Sequence, residues 1–237
     1  MTSYDVFAKF YDEIIGNKSS RVSFLQKLIE ENTPNASNLL EIACGTGTLI
    51  QGLSKKYRVA GFDLSSGMVG EAREKLPGVD IRIGNMADFD FGESFDVVLC
   101  VYDSINHLLS WGQWCALLAN AHKHLNPGGL FIFDIHTPER HEWLIGSPPR
   151  SRPIGDDHMF MAASREGDKF KWTLRVFQKE DDGRFSLHED FIYETAFPIE
   201  DVEHEVSKLF TVKKIVDDRG LDEGNPDWRP FFVCVKK

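Results

Sequence analysis

From residue 38 onward, short apolar runs of strand type alternate with segments of helical periodicity. That alternation restricts this chain more than any other feature. Leu39-Leu40-Glu41-Ile42-Ala43 is strand-like and stops at Gly45, and a helix is expected over 46–56. Arg58 to Phe62 reads as a second strand ending at Asp63, and Ser65 is placed to cap the next helix. Pro77-Gly78 ends that helix, and Val79 to Ile83 reads as a third strand. Phe95 to Val101 is nearly continuously apolar, as a strand buried on both faces should be. Trp111, Trp114, Leu117, Leu118, Ala121 and Leu125 then recur at three- and four-residue intervals. Asn126-Pro127-Gly128-Gly129 stops the helix they define, and Leu130 to Asp134 is a fifth strand. Such alternation predicts a parallel sheet with helices on both faces.

The pattern changes after Thr137-Pro138. Residues 146–155 read as a loop. Phe170, Trp172, Leu174 and Val176 alternate with Lys169, Lys171, Thr173 and Arg175, and Asp181-Asp182-Gly183 makes a turn. Phe185, Leu187, Phe191, Tyr193 and Phe197 are read as continuing the same buried face, which describes an antiparallel meander. Ile199 to Leu209 reads as a helix, and Phe210 to Val216 and Phe231 to Val235 as two closing strands joined by a polar loop. At about 150 residues per domain, 237 residues make roughly one and a half domains. The expected division is a core over 1–137, an inserted sheet over 138–197 capping a substrate pocket, and the end of the core over 198–237.

Charge and cysteines narrow the function classes. Lys+Arg is 27 against Asp+Glu 37, a net charge of −10 without a basic block, so the electrostatic footprint of a nucleic-acid binder is missing. No run of about 18 apolar residues suggests a membrane span, and the first eleven residues lack an apolar signal core, so a cytoplasmic protein is expected. Cys44, Cys100, Cys115 and Cys234 sit in apolar stretches without CxxC spacing. They read as buried reduced thiols, with no metal site expected.

The chemistry centres on Glu41-Ile42-Ala43-Cys44-Gly45-Thr46-Gly47-Thr48, between the first strand and the first helix. Glycine lets backbone turn sharply and approach a ligand without a Cβ in the way. In open α/β sheets, ligands bind at the carboxyl ends of strands. Asp63 ends the neighbouring strand, where a carboxylate can accept hydrogen bonds from both hydroxyls of a ribose; the alternative is a helix cap before Ser65-Ser66. A dinucleotide fingerprint would want a third glycine at position 50, which here is Ile50.

These residues resemble the motifs of class I S-adenosylmethionine-dependent methyltransferases. LLEIACGTGTL at 39–49, GFDLSSGMV at 61–69, GNMADF at 84–89 and FDVVLC at 95–100 are similar to their first four motifs in order, and LNPGGLFIFD at 125–134 to their fifth strand. The resemblance implies a Rossmann-like α/β fold, a seven-stranded mostly parallel sheet whose last strand is reversed. It implies S-adenosyl-L-methionine as cofactor. Glu41, Ala43 and Gly45 would border its methionine part, Asp63 would hold its ribose, and Leu64 and Met68 would pack near its adenine. Asn85, where the family commonly has Asp, would face the adenine amino group. Met86 would cover the ring, and Val101 would lie beneath the sulfonium.

Tyr4 to Asp12 resembles the YxxxAxxYD opening of a subset of these enzymes, which commonly forms a helical lid. Tyr11 would close over the methionine carboxylate, with Arg21 a distant counter-charge; the alternative is a solvent-exposed amphipathic helix using its aromatics as core anchors. Tyr102 to Leu108 is similar to a loop of small-molecule methyltransferases, including sugar N,N-dimethyltransferases, which also share the inserted sheet. That branch implies substrate contacts from Tyr4, His107 and Arg229. His107 is the candidate general base, and Asp103, where the sugar enzymes have Ser, could orient an ammonium or hydroxyl. His122 and His124 are read as solvated, His136 as a weaker candidate for the pocket rim, and Phe170, Trp172 and Tyr193 as possible lining. The expected reaction is methyl transfer to N or O of a small molecule, by a monomer or homodimer. An NAD-type oxidoreductase and a non-catalytic cofactor-binding regulator are the rivals.

Overall fold

The computed structural model describes Tyr4 and residues 7–16, 18–217 and 229–237. Asp5 and Val6 of the N-terminal motif, and most of the polar loop before Arg229, lie outside the described residues. Strands β1 (Asn38–Ile42), β2 (Arg58–Asp63), β3 (Asp80–Ile83), β4 (Phe95–Cys100) and β5 (Leu125–Asp134) pair in parallel. Strand β11 (Pro230–Lys236) is antiparallel to both β5 and β10 (Phe210–Asp217). The seven-stranded order is β10-β11-β5-β4-β1-β2-β3, so the expected reversed strand is present. The order changes direction at β1 and β4, the place where an open α/β sheet binds its ligand.

Successive strand residues point to opposite faces, and each face has its own core. Val97 and Leu99 of β4 join the core built with α2 (Ser19–Asn32), α3 (Thr48–Leu53) and α4 (Ser66–Lys75). Val98 and Cys100 join the other, built with α5 (Trp111–Lys123) and α7 (Ile199–Leu209). Helix α3 is shorter than the 46–56 expected, because Thr46-Gly47 stays in the loop and the helix ends at Leu53. The Asn-Pro-Gly-Gly stretch also behaves differently: β5 begins at Leu125 and carries an irregularity in its pairing with β4 before Leu130. Leu125 is therefore core from a strand, although its spacing fits the helix.

The residue at position 50 has a structural explanation. A Cβ built on Gly61 of β2 would lie 2.5 Å from Cδ1 of Ile50 and 3.1 Å from the Cys44 side chain. The close helix–strand approach is kept, with the small residue on the strand and the large one on the helix. Gly61→Ala is therefore expected to overpack this contact and cost about 1–3 kcal/mol in urea unfolding, with part regained by adding Ile50→Val. A Gly61→Ala chain as stable as the parent would show the contact to be slack.

The insertion opens with α6 (Pro138–Gly146), capped by Thr137, whose hydroxyl accepts from Arg140 N–H. Strands β6 (Arg150–Ile154), β7 (Asp157–Glu166), β8 (Lys169–Lys179) and β9 (Phe185–Glu194) then form a separate antiparallel sheet in that order. Residues 150–154, expected as loop, are its first strand. Phe170, Leu174 and Val176 of β8 are buried as expected. The phase of β9 is the reverse of the expected one. Its register sets Ile192 opposite Trp172 and Glu194 opposite Phe170, so Ile192 and Glu194 face inward. Phe185, Leu187 and Phe191 are exposed on the outer face.

The inward face packs on the N-terminal helix α1 (Ala8–Ile15), where Phe7 and Phe10 join Ile154, Met159, Leu174, Val176 and Ile192 in a third core. The amphipathic alternative describes this helix as well: Phe7 and Phe10 anchor it in the core while Lys9, Asp12 and Glu13 are exposed. Asp12 holds the other side of α1, accepting from the Thr46 and Thr48 hydroxyls and pairing with Lys75. Segment, glycine loop and inserted sheet are thus joined.

Candidate active site

At the end of β1 the chain turns through positive φ at Ala43 (55°), Gly45 (54°) and Gly47 (74°). The Cys44 N–H donates to the Phe62 carbonyl at 2.9 Å, which keeps the loop on the sheet. At Gly45 a Cβ would meet the Tyr11 ring at 3.5 Å, so α1 lays an aromatic ring directly over the glycine. Asp63 braces the loop from β2. Its Oδ2 accepts from Gly45 N–H and its Oδ1 from Ser65 N–H, both at 2.9 Å. Helix α4 is capped by Ser65, whose hydroxyl accepts from Met68 N–H. The cap alternative for Asp63 is thereby narrowed: Ser65 does the capping, and Asp63 bridges the loop to the residue that caps.

Glu41 is buried under this loop, and its Oε2 has no hydrogen-bond partner among the described residues. Burial first, and then the Asp63 charge, push the Glu41 carboxyl well above the usual carboxylate range. Burial also raises Asp63, against the lowering effect of its two backbone donors. A carboxyl raised on folding binds a proton that the unfolded chain has lost, so its contribution to stability is lost as pH rises through the raised value. Without ligand, the parent is expected to lose stability between pH 5 and pH 8, and Glu41→Gln to lose less. Urea unfolding at the two pH values checks this. An unchanged difference would place the titration elsewhere.

The other expected cofactor residues surround the same strand ends. Leu64 is exposed, Met68 is buried in the first turn of α4, and Met86 packs partly against the α5–α7 core. Asn85 is exposed, and its Oδ1 accepts from Ala87 N–H at 2.9 Å, leaving the amide NH₂ outward. Val101 is buried at the end of β4. Arg21 of α2 is buried as well. Its guanidinium lies 5.4 Å from the Tyr102 ring and 4.8 Å from Phe231.

After Val101 two non-glycine residues, Tyr102 (φ 64°) and Asp103 (φ 53°), take left-handed conformations. Such strain persists only where surroundings over-determine it. Here Asp103 N–H donates to Asp134 Oδ2 at 3.1 Å, and Arg229 bridges Asp103 Oδ1 (3.0 Å) and Asp134 Oδ2 (3.2 Å). The Asp134 carboxyl is pushed up to about 6 by burial, against the opposing Arg229 charge. A one-turn 3-10 helix, Ser104–His107, follows and presents His107. Its Nε2 lies 3.4 Å from the Tyr4 hydroxyl, and the Tyr4 ring stands edge-on to both His107 and Tyr11. Tyr4, Tyr11 and His107 therefore meet beside the glycine loop, while Asp103 and Arg229 meet in a partly buried ion pair.

The sequence reading missed the second layer. Asn106 donates to the carbonyls of His136 and Thr195 and accepts from His136 N–H, fastening the 3-10 helix to both sheets. His136 is buried, not at a rim, with Nδ1 3.4 Å from Glu194 Oε2. His141 of α6 reaches the same oxygen at 2.9 Å, and Trp172 donates to Glu194 Oε1 at 2.9 Å. Trp172 thus turns inward, whereas Tyr193 bonds Glu166 and lies on the opposite face of β9 from Glu194. His124, expected in solvent, is buried: its Nε2 accepts from Phe91 N–H, and its ring stacks on Phe89. His122 is half-buried against Phe210.

Comparison with known proteins gives this geometry a family context. Residues 39–129 match the methyltransferase domain family. Over 131 residues the chain is 34% identical to dTDP-3-amino-3,4,6-trideoxy-alpha-D-glucopyranose N,N-dimethyltransferase of Streptomyces venezuelae, a match covering 55% of each chain. The chain thus spans about half the length of that curated relative. The crystal structure of Streptomyces venezuelae DesVI superposes with a TM-score of 0.82 at 26% identity, covering 100% of this chain and 99% of that one. An S-adenosylmethionine-dependent methyltransferase from Clostridium acetobutylicum has the same fold, with a TM-score of 0.84 at 22% identity over 99% of both chains.

Proposed function

We propose that this chain, which belongs to the class I S-adenosylmethionine-dependent methyltransferases, transfers a methyl group to a nitrogen of a small-molecule acceptor. The amine of a nucleotide-linked amino sugar is the acceptor class we favour. The observation that carries the reading is the Asp63 carboxylate, held by Gly45 and Ser65 N–H at 2.9 Å beside the unpartnered Oε2 of Glu41. A carboxylate offers about four acceptor positions. Two on Asp63 are used by backbone, and the remainder fit the two hydroxyls of a ribose. Glu41 Oε2 fits an ammonium, and Gly45 takes a positive φ of 54° that suits glycine and turns the loop beneath the Tyr11 ring. Amino-sugar N-methylation is named for the Streptomyces venezuelae relative and supports the acceptor class.

When bound, the cofactor supplies a methyl group already activated on a sulfonium. The protein's work is then to align, to exclude water and to move a proton; alignment alone can remove about 7–11 kcal/mol of a barrier. Ala43, Gly45 and Glu41 would border the methionine part, with Tyr11 over it and Arg21 as a distant counter-charge. Leu64, Met68, Asn85 and Met86 would frame the adenine side, with Val101 near the sulfonium. Tyr4, His107 and Arg229 meet the acceptor beneath the inserted sheet over 138–197, which serves as its cap. His107 takes the amine proton on Nε2, the ring nitrogen facing the Tyr4 hydroxyl. Asp103 acts through its pairing with Arg229 as much as on the acceptor.

The NAD-type reading finds no support: Ile50 occupies the third glycine position, packed on Gly61. Among the described residues no helix is long and apolar enough to cross a membrane. We place the protein in the cytoplasm as a monomer or homodimer without a nucleic-acid partner. The test of function is transfer of labelled methyl from S-adenosylmethionine to a thymidine-diphosphate amino sugar, read by mass. His107→Ala should lower turnover roughly 10²–10⁴-fold, the usual worth of a general base, with S-adenosylhomocysteine affinity unchanged. The same pH–rate profile for parent and variant would remove the base role. Cofactor binding without transfer to any amine or hydroxyl would favour a regulator.

A further inference from the structure

We propose that His136 Nδ1, His141 Nε2 and Glu194 Oε2 form a site for a divalent transition-metal cation of the zinc class, joining the core to the inserted sheet. The three atoms lie within 4.8 Å of one another, and all three residues are buried. They come from three separate places: the end of the β5 segment, helix α6 and the last residue of β9. The sequence therefore shows no metal spacing, and none was expected from it.

The donor set selects the cation. Two imidazoles and one carboxylate suit zinc and its neighbours, whereas magnesium and calcium prefer all-oxygen shells. Tetrahedral ligands at about 2.0–2.1 Å from zinc stand about 3.3 Å apart. Glu194 Oε2 lies 2.9 Å from His141 Nε2 and 3.4 Å from His136 Nδ1. The two imidazole nitrogens lie within 4.8 Å of each other and would close on the ion as it binds. The supporting shell is in place. Trp172 N–H occupies Glu194 Oε1, which leaves Oε2 directed at the two imidazoles. Phe170 stacks on the His141 ring with centroids 4.1 Å apart, fixing its plane. Such outer contacts orient metal ligands.

A fourth position has a source. His141 and Glu194 border a small cavity of about 70 Å³ that also meets Arg165 and Asp168, room for a water molecule. Charge favours a cation as well. Asp103, Asp134 and Glu194 cluster here, and Arg229 is the guanidinium that pairs with the first two. One contact must loosen. Binding through Nδ1 leaves the His136 proton on Nε2, which lies 3.4 Å from Arg229 Nη2. The same Nη2 pairs with Asp103 Oδ1 at 3.0 Å, so the guanidinium has to give up the long imidazole contact while holding the carboxylate.

The rival account is a purely protonic network, in which the imidazoles donate to Glu194 and no metal enters. Titration calorimetry on the full chain, stripped with chelator and then dialysed, separates the two with zinc and magnesium chloride as probes. One zinc equivalent per chain is expected, at least 100-fold tighter than magnesium. His141→Ala and Glu194→Gln should each weaken zinc binding by 100-fold or more, and His204→Ala, an exposed histidine on α7, should leave it unchanged. Should those variants fail to fold, cobalt(II) added to the parent gives a second reading. An intense tetrahedral absorption band, with anomalous density between the three side chains in a soaked crystal, supports the site. No zinc binding, binding no tighter than magnesium, or zinc affinity that survives in both site variants overturns it, as does an octahedral cobalt spectrum.

Discussion

An Asp63→Ala chain is expected to bind S-adenosylhomocysteine roughly 30- to 150-fold more weakly than the parent, about 2–3 kcal/mol for charge-assisted bonds to two hydroxyls. The same change removes an acceptor from Gly45 and Ser65 N–H. It also relieves the chain of a carboxylate whose burial raises its pKa. Two lost backbone bonds cost about 2 kcal/mol between them, and the relieved burial offsets part of that. Affinity should therefore fall further than ligand-free stability. Calorimetry for the first and urea unfolding for the second make the comparison. Unchanged affinity would take Asp63 away from the ribose; equal losses in both would make it only a loop brace.

The second large effect lies at Arg229. Truncation to alanine leaves Asp103 and Asp134 facing each other without the guanidinium that now bridges them. Breaking a buried pair from one side costs about 3–5 kcal/mol, because the remaining charge stays buried. The pH dependence has a definite sign. Asp134 already titrates at about 6, raised by burial against the Arg229 charge, and loss of that charge raises it further. Above that value Asp134 is ionised beside Asp103 and the deficit is complete. As pH falls through it, Asp134 becomes neutral in the folded state and the deficit shrinks. Unfolding midpoints at pH 5 and pH 8 should therefore differ more for Arg229→Ala than for the parent. Adding Asp134→Asn should recover stability at pH 8. A pH-independent loss would mean that Arg229 acts by packing.

Much of the cofactor side was legible from sequence because its signals are local. A strand ending in glycine, a carboxylate at the end of the next strand, and a serine capping the following helix are read within a few residues of one another. The mouth was half legible. Tyr4, His107 and Arg229 were singled out as substrate contacts; Tyr4 and His107 lie side by side, while Arg229 pairs with Asp103 and Asp134. Asp103 was expected to orient the acceptor, and its pairing with Arg229 was not foreseen. His136 is closed off in the interior.

The sequence by itself determined the alternating strands and helices of the core, the glycine loop and the position of Asp63, since each depends on periodicity or on one residue's backbone freedom, while the reversed last strand followed from the family resemblance. Only the tertiary structure decided which face of β9 turns inward. A one-residue change of phase exchanges the faces of a strand, and its outcome rests on pairing with β8 and packing on α1. In β9 that register buries Glu194 and leaves Phe185 and Leu187 outside, against the hydrophobic pattern. For the same reason His136, His141 and Glu194 come together: their meeting depends on how a separate sheet docks over the core, which no local spacing encodes.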